Sequence, residues 1–277
     1  MQYRKLGRTG IDVSTISLGT EYLINIPRED VVAVIHEALA QGINYFDLFF
    51  AQPEFRDNMG FAFKGYRDKA MLASHLGSIH EDGQYNKTRD LNTAKKFFED
   101  FLIRYNTDYV DVIYLHNSDG QEDYDIVMND GFLETAQRYV EEGKAKYIAF
   151  SGHTVSTAKQ AVESGYIDIL MFPISLVGNA TPDKRDLLNA CVKYNIGLVA
   201  MKPYAGGKLL QQGTSMSLEH WQTGGPKAEI EKKKQITPIK CLSYTLSQIG
   251  VSNVVPGCKT VRELHDALAY FDATDEE

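Results

Sequence analysis

Cysteine is scarce, and poorly spaced for any covalent or metal framework. The 277-residue chain has three, Cys191, Cys241 and Cys258, with no CxxC pair. An odd number without paired spacing excludes a disulfide scaffold and fits a reducing compartment, where such residues read as small buried hydrophobes. Positive charge is short as well: 29 Lys and Arg against 37 Asp and Glu leave a net charge of −8. That balance argues against a phosphate-backbone partner, so no nucleic acid is expected. The one basic run, Lys232-Lys233-Lys234, follows Glu229 and Glu231 and reads as a solvated helix face. No apolar run approaches the roughly 20 residues that cross a bilayer, so no membrane partner is expected either. Met1-Gln2-Tyr3-Arg4-Lys5 leads into turn residues and not into an apolar export segment, so a cytoplasmic location is the expectation. Linkers and low-complexity tracts are missing, and residues 1–277 read as one domain.

What is present is a regular alternation. Eight short apolar runs read as strands: Ile16–Thr20, Asn44–Leu48, Ala70–Leu76, Val110–His116, Lys146–Ser151, Ile167–Pro173, Gly197–Pro203 and Asn253–Pro256. Between them lie amphipathic stretches such as Glu29–Gln41, Thr93–Tyr105, Gly131–Glu142, Ser156–Ser164 and Lys184–Tyr194. Gly42, Asn106, Gly143, Gly165 and Asn195 stand where helix C-caps belong. Strands rich in Val, Ile and Leu with crossover helices imply a parallel sheet covered by helices. Eight units close into a (β/α)8 TIM barrel whose working face is the C-terminal end of the strands. An open doubly wound sheet is disfavoured because no GxGxxG follows the first strand. Tyr3–Leu6 and Ile11–Ser14 flank Gly7-Arg8-Thr9-Gly10 and read as an N-terminal β-hairpin plugging the barrel floor. Lys208–Ile236, with the only tryptophan, Trp221, is irregular and reads as a lid or a surface loop.

An ordered series of motifs then resembles a known family. Tyr3-Arg4-Lys5-Leu6-Gly7-Arg8-Thr9-Gly10, Leu18-Gly19-Thr20, Gly42-Ile43-Asn44-Tyr45-Phe46-Asp47, Arg67-Asp68-Lys69, Leu115-His116, Lys202-Pro203 and Pro256-Gly257 look like an aldo-keto reductase along nearly the whole chain. The nearest likeness is to the bacterial branch that often carries a ferredoxin module, although the cysteines for such a cluster are not present. The resemblance implies a catalytic Asp, Tyr, Lys and His, with the Tyr giving a proton to a carbonyl while NAD or NADP exchanges hydride. Asp47 and His116 match that set. Gln52 stands where the Tyr belongs and His75 where the Lys belongs. Ser151-Gly152 replaces a Ser-Asn pair, Met171 and Ile174 replace a Gln and a stacking aromatic, and Thr260 and Ala267 replace a basic residue and an Asn. Ser151, Lys202, Gly206 and Lys259 remain as cofactor-binding candidates, with Arg262 able to substitute for the basic residue.

These departures point away from ordinary hydride transfer, because a glutamine amide does not titrate near neutral pH. The strand ends bring Glu21, Asp47, His75, His116 and His153 towards one mouth, a set that would suit a divalent Zn, Mn or Fe ion with an open position. The expectation is therefore a barrel enzyme acting on a small carbonyl or polyhydroxy substrate by His/Asp acid–base or metal-assisted lyase, isomerase or hydratase chemistry, with Asp47, His75 and His116 catalytic. The alternatives are an NAD(P)H-dependent reductase using His116 or His75 as proton donor, and a non-catalytic binding barrel. His36, His80, His220 and His265 read as bystanders. Tyr22, Phe49, Phe50, Tyr204 and Trp221 are candidates for the mouth, although core packing accounts for at least half of them.

Overall fold

A computed structural model describes residues 1–178, 183–213, 215–231 and 236–274. The basic run Lys232-Lys233-Lys234 lies outside the described residues. The chain opens with an antiparallel hairpin, β1 (Tyr3–Lys5) and β2 (Asp12–Ser14). Barrel strand β3 (Leu18–Gly19) leads to α1 (Arg28–Ala40), and β4 (Tyr45–Leu48) to α2 (Pro53–Phe63). Next comes β5 (Met71–Leu76), which runs into a second hairpin, β6 (Ser78–Glu81) and β7 (Gln84–Lys87), before α3 (Leu91–Arg104). Strand β8 (Val110–Leu115) is followed by α4 (Gln121–Asn129) and α5 (Phe132–Glu141), β9 (Ala145–Ser151) by α6 (Val155–Glu163), and β10 (Ile169–Pro173) by α7 (Lys184–Lys193). After β11 (Gly197–Met201) a small two-stranded sheet, β12 (Ser215–Leu218) and β13 (Ala228–Glu231), brackets the one-turn helix α8 (His220–Thr223). Helix α9 (Pro238–Ser247), β14 (Val251–Val255) and α10 (Val261–Leu268) complete the series.

The eight barrel strands are parallel and neighbour one another in the order β14-β11-β10-β9-β8-β5-β4-β3. Bridges from Ile16 to Val254 and from Gly19 to Gly257 join the two ends. This is the expected (β/α)8 barrel. Helices end where the sequence marks them, since Gly42, Asn106, Gly143, Gly165 and Asn195 all take the left-handed conformation that a C-cap needs.

Each barrel strand turns alternate side chains inward, which builds the interior in layers. Tyr45, Ala73, Val112, Tyr114, Ala149, Ile169, Met171, Val199 and Val255 pack there with Leu6 and Val13 of the first hairpin. The hairpin thus plugs the floor. Its turn approaches β11 so closely that a Cβ on Gly7, which has φ +52°, would lie 2.2 Å from the Gly197 nitrogen, so only glycine fits.

Within Lys208–Ile236, the described residues 208–213 and 215–231 include β12, α8 and β13: Met216, Leu218 and Ile230 pack with Ala205, Leu209 and Cys241, and Gln222 of α8 donates to the Ala205 carbonyl. Thr260, considered from the resemblance as a cofactor position, N-caps α10 by accepting the Glu263 amide hydrogen at 3.2 Å. Thr260→Ala is expected to cost about 1 kcal/mol in a urea titration by leaving that amide unpaired.

Candidate active site

The inward register that fills the barrel also sets the residues at its mouth. Two positions beyond Tyr45 comes Asp47, two beyond Ala73 comes His75, and two beyond Tyr114 comes His116. All three are buried, and they line a cavity of about 440 Å³ at the C-terminal ends of the strands. Gly19, Glu21, Phe49, Asn117, Asp119, Ser151, His153, Met171, Met201, Lys202, Trp221 and Val255 form the rest of its wall, together with Tyr85.

One wall carries a continuous chain of hydrogen bonds. His75 Nε2 lies 2.7 Å from Asp47 Oδ1, His75 Nδ1 lies 2.8 Å from His116 Nδ1, and His116 Nε2 lies 2.6 Å from the Tyr85 hydroxyl. Tyr85 comes from the β6–β7 hairpin, not from the β4 loop where the resemblance puts a tyrosine. The hairpin is returned to the barrel by Arg89, which donates to the carbonyls of His116 and Asn117 and to Asp123, and by Lys87, which also pairs with Asp123. Burial pushes the Tyr85 phenol above its usual range, opposed by the Asn117 amide and the Arg89 charge. His116 is held well below the ordinary imidazole range by burial, reinforced by His75, Arg89, His153 and Lys87. It is therefore neutral.

The opposite wall carries a second array. Lys202 Nζ sits 2.6 Å from His153 Nε2, and His153 Nδ1 sits 2.9 Å from Asp119 Oδ2. The Asp119 carboxylate also accepts the His153 backbone amide. Burial lowers the Lys202 amine to about 8 against the pull of Glu21, Asp119 and Asp47, while Nζ stands 5.1 Å from the Trp221 ring centroid. Burial also lowers His153, countered by its bond to Asp119, and raises Glu21, countered by Lys202.

This geometry corrects the metal expectation. The nitrogens of His75 and His116 are spent on each other, on Asp47 and on Tyr85. His153 faces Asp119 and Lys202 across the cavity, and no contact ties Glu21 to the imidazoles. Among the described residues no group of three or more His, Cys, Asp or Glu is arranged to hold an ion. It also corrects the expectation that the site lacks a tyrosine. Gln52 is the N-cap residue of α2, with its amide on Asn25 Oδ1 at 2.9 Å. Of the other candidates, Ser151 reaches the cavity and accepts the Asn117 amide at 3.0 Å. Met171 lines it too, whereas Ile174 and Ala267 lie in the core. Among the aromatics, Phe49 and Trp221 line this cavity, and Phe50 packs against the core. His36 bonds the Ala62 carbonyl and His265 bonds Glu37, so neither joins the site; His220 bonds the Gly225 carbonyl and sets its ring 6.5 Å from that of His153 without lining the cavity, and His80 is on β6, outside the cavity.

A second cavity of about 330 Å³ opens beside the first, lined by Tyr22, Tyr204, Gly206, Gly207, Gly257, Cys258, Lys259 and Glu263 among others. The two meet near Gly257, where a Cβ would lie 2.5 Å from the Tyr22 ring and 3.3 Å from Glu21 Oε1. Among the described residues the buried Tyr204 hydroxyl has no hydrogen-bond partner. The lining joins Lys259 to two carboxylates, Glu263 and Asp266, and the Gly206 and Gly257 backbones pack against the Trp221 and Tyr22 rings.

Residues 15–277 match the family described as the aldo/keto reductase family. An uncharacterized oxidoreductase of Bacillus subtilis (strain 168), YqkF, is 25% identical, the alignment covering 100% of this chain and 94% of that protein. The L-galactose dehydrogenase of Arabidopsis thaliana is 24% identical over 97% of this chain and 88% of its own. Among solved structures, the holo form of the aldo-keto reductase AKR11C1 from Bacillus halodurans superposes with a TM-score of 0.81 at 21% identity, covering 99% of this chain and 92% of that one. None of these matches supports elimination, isomerisation or hydration. No helix among the described residues is long and apolar enough to cross a membrane. With the barrel, the Asp47 and His116 positions and a match over nearly its whole length, the chain belongs to the aldo/keto reductase family.

Proposed function

We propose that this chain is a nicotinamide-dependent oxidoreductase that interconverts the carbonyl and alcohol forms of a small hydroxylated molecule, with Tyr85 as the proton-transfer group. The supporting observation is the Tyr85 hydroxyl at 2.6 Å from His116 Nε2, at the edge of the 440 Å³ cavity. A hydroxyl in that position does for a substrate oxygen what Gln52 cannot. Neither His116 nor His75 then needs to serve as the donor; they tune the tyrosine instead.

Tyr204, Gly206, Gly257 and Lys259 would hold the adenosine end of NAD or NADP, and Ser151, Met171, Met201 and Lys202 the nicotinamide end. When bound, the nicotinamide supplies or accepts hydride. The chain's own residues orient the substrate and move the proton. Phe49 and Trp221 offer apolar faces, while Glu21, Asp119, His153 and Lys202 offer polar groups beside them. That mixture suits a molecule with several hydroxyls, as does the name of the L-galactose dehydrogenase relative.

The test is a fluorescence titration with NADH and with NADPH, followed by assays of aldoses, small aldehydes and their alcohols in both directions. Saturable binding of at least one nicotinamide and turnover of at least one hydroxylated substrate are expected. Failure of both nicotinamides to bind at about 1 mM, where specific cofactor sites saturate, would overturn the assignment.

A further inference from the structure

The chain from Asp47 to Tyr85 has a direction that its atoms fix. A carboxylate only accepts hydrogen bonds, and a neutral imidazole carries one N–H. With Asp47 Oδ1 at 2.7 Å, the hydrogen of a neutral His75 sits on Nε2, so its Nδ1 is a lone pair. The 2.8 Å contact between the two Nδ1 atoms then requires the hydrogen on His116 Nδ1. His116 Nε2 is left as an acceptor, and at 2.6 Å the Tyr85 hydroxyl must donate to it. Tyr85 thus turns its hydrogen inward and presents oxygen lone pairs to the cavity. One added proton reverses the two bonds beyond His75 and leaves the His75–Asp47 bond as it was. His75 then carries hydrogen on both nitrogens, the hydrogen of His116 moves to Nε2 and donates to the phenol oxygen, and the Tyr85 O–H is free to face the cavity.

We propose that Asp47, His75, His116 and Tyr85 form a wire that stores one proton, and that its unloaded form is built to take a proton from a substrate alcohol. This rests on the oxidoreductase function proposed above. In oxidation the substrate O–H proton passes to the Tyr85 oxygen, the Tyr85 proton to His116 Nε2, and the His116 Nδ1 proton to His75 Nδ1. An oxidised nicotinamide, when bound, would accept the carbinol hydrogen as hydride, so that the C–H bond is exchanged for the C=O bond. The wire ends loaded, as a His75 imidazolium beside the Asp47 carboxylate. Carbonyl reduction is the reverse and starts from the loaded wire.

The surroundings suit this. His75 lies against Tyr114 with ring centroids 4.6 Å apart, and Phe49 lies nearly parallel to His116 at 6.2 Å, so the two imidazoles are buried. Arg89, Lys87 and His153 all disfavour charge on His116, whereas His75 has a carboxylate in contact, so a stored proton belongs on His75. Glu21, Asp119 and Lys202 complete the set of charged groups facing the cavity.

Long-range 1H–15N correlation spectra of the 15N-labelled protein, with His75→Gln for assignment, test the wire without any substrate. The expected neutral state shows His116 as the Nδ1–H tautomer and His75 as the Nε2–H tautomer, and the loaded state carries its extra hydrogen on His75 Nδ1, beside the Asp47 carboxylate. In the neutral state a His116 carrying its hydrogen on Nε2, or in the loaded state an added proton resting on His116, would overturn the proposal. A proton inventory of single-turnover alcohol oxidation gives the second readout. Wild type is expected to give a curved dependence on deuterium fraction and His75→Gln a straight line; a straight line for wild type also overturns it. Should neither nicotinamide support turnover, the oxidoreductase function fails while the tautomers still decide the wire.

Discussion

Tyr85→Phe is expected to lower kcat by about 10²–10⁴-fold in both reaction directions while leaving nicotinamide affinity within about twofold. The substitution removes one oxygen and nothing else. Tyr85 is 38% exposed on the β6–β7 hairpin, and its ring packs edge-on against Phe49 and Phe50, contacts a phenylalanine keeps. Loss of structure is therefore not an available explanation, and unchanged thermal unfolding would document that. The adenosine-end candidates Tyr204, Gly206 and Lys259 line the neighbouring cavity, whose wall does not include Tyr85, and the nicotinamide-end candidates Ser151, Met171, Met201 and Lys202 keep their places when only the Tyr85 oxygen is removed. The measurement is steady-state kinetics in both directions beside a fluorescence titration. A variant retaining more than about half of kcat would show that the proton travels by another group, with Lys202 as the first candidate because its amine is lowered to about 8 in the same cavity.

That prediction concerns a residue the motifs do not mark. The barrel itself is legible from the sequence because its information is periodic. The strands repeat inward-facing positions two residues apart, and five helices close on a glycine or asparagine, Gly42, Asn106, Gly143, Gly165 and Asn195, whose positive φ is visible as composition. The same alternation carries Asp47, His75 and His116 to the mouth, so their convergence is readable too. Tyr85 is different. It reaches the site from the loop after β5, whereas the family pattern directs attention to the loop after β4, where Gln52 stands. A barrel mouth is a ring on which several loops converge, so a functional group can be delivered from more than one of them. The signal for this hairpin lies in Asp82-Gly83, whose φ values of +50° and +77° match the two-residue turn such a dipeptide favours. It pairs Ser78–Glu81 with Gln84–Lys87 and puts Tyr85 opposite His80.

The metal expectation failed for a related reason. Counting imidazoles and carboxylates at strand ends says which groups meet, but not what their lone pairs face. Here His75 and His116 face one another edge to face, with ring planes 81° apart, and His153 is turned to Lys202. Donors arranged in a line pass protons, whereas donors arranged around a point hold ions. The difference lies in rotamers, which the spacing of residues does not encode.

The same burial that keeps His116 able to accept the Tyr85 proton has a cost in acid. His116 and His153 both titrate below the ordinary value of 6.5 in the fold. Above pH 6.5 they are neutral in the folded and the unfolded chain alike and make no difference to stability. As pH falls through 6.5 the unfolded chain takes up two protons that the fold refuses, so stability drops with each step downward until the folded imidazoles themselves protonate. Each group contributes up to about 1.4 kcal/mol per pH unit once its unfolded form is mostly protonated, so the pair is expected to steepen the loss towards about 2.7 kcal/mol per unit about one unit below the unfolded pKa. Urea titrations at pH 7.5, 6.5 and 5.5 measure that slope, and His116→Gln should roughly halve it by deleting one of the two groups. A slope unchanged by His116→Gln would mean that this imidazole charges freely in the fold. Tyr85 would then face an imidazolium with no lone pair to receive its hydrogen, and the inward-pointing relay would lose the acceptor on which it depends.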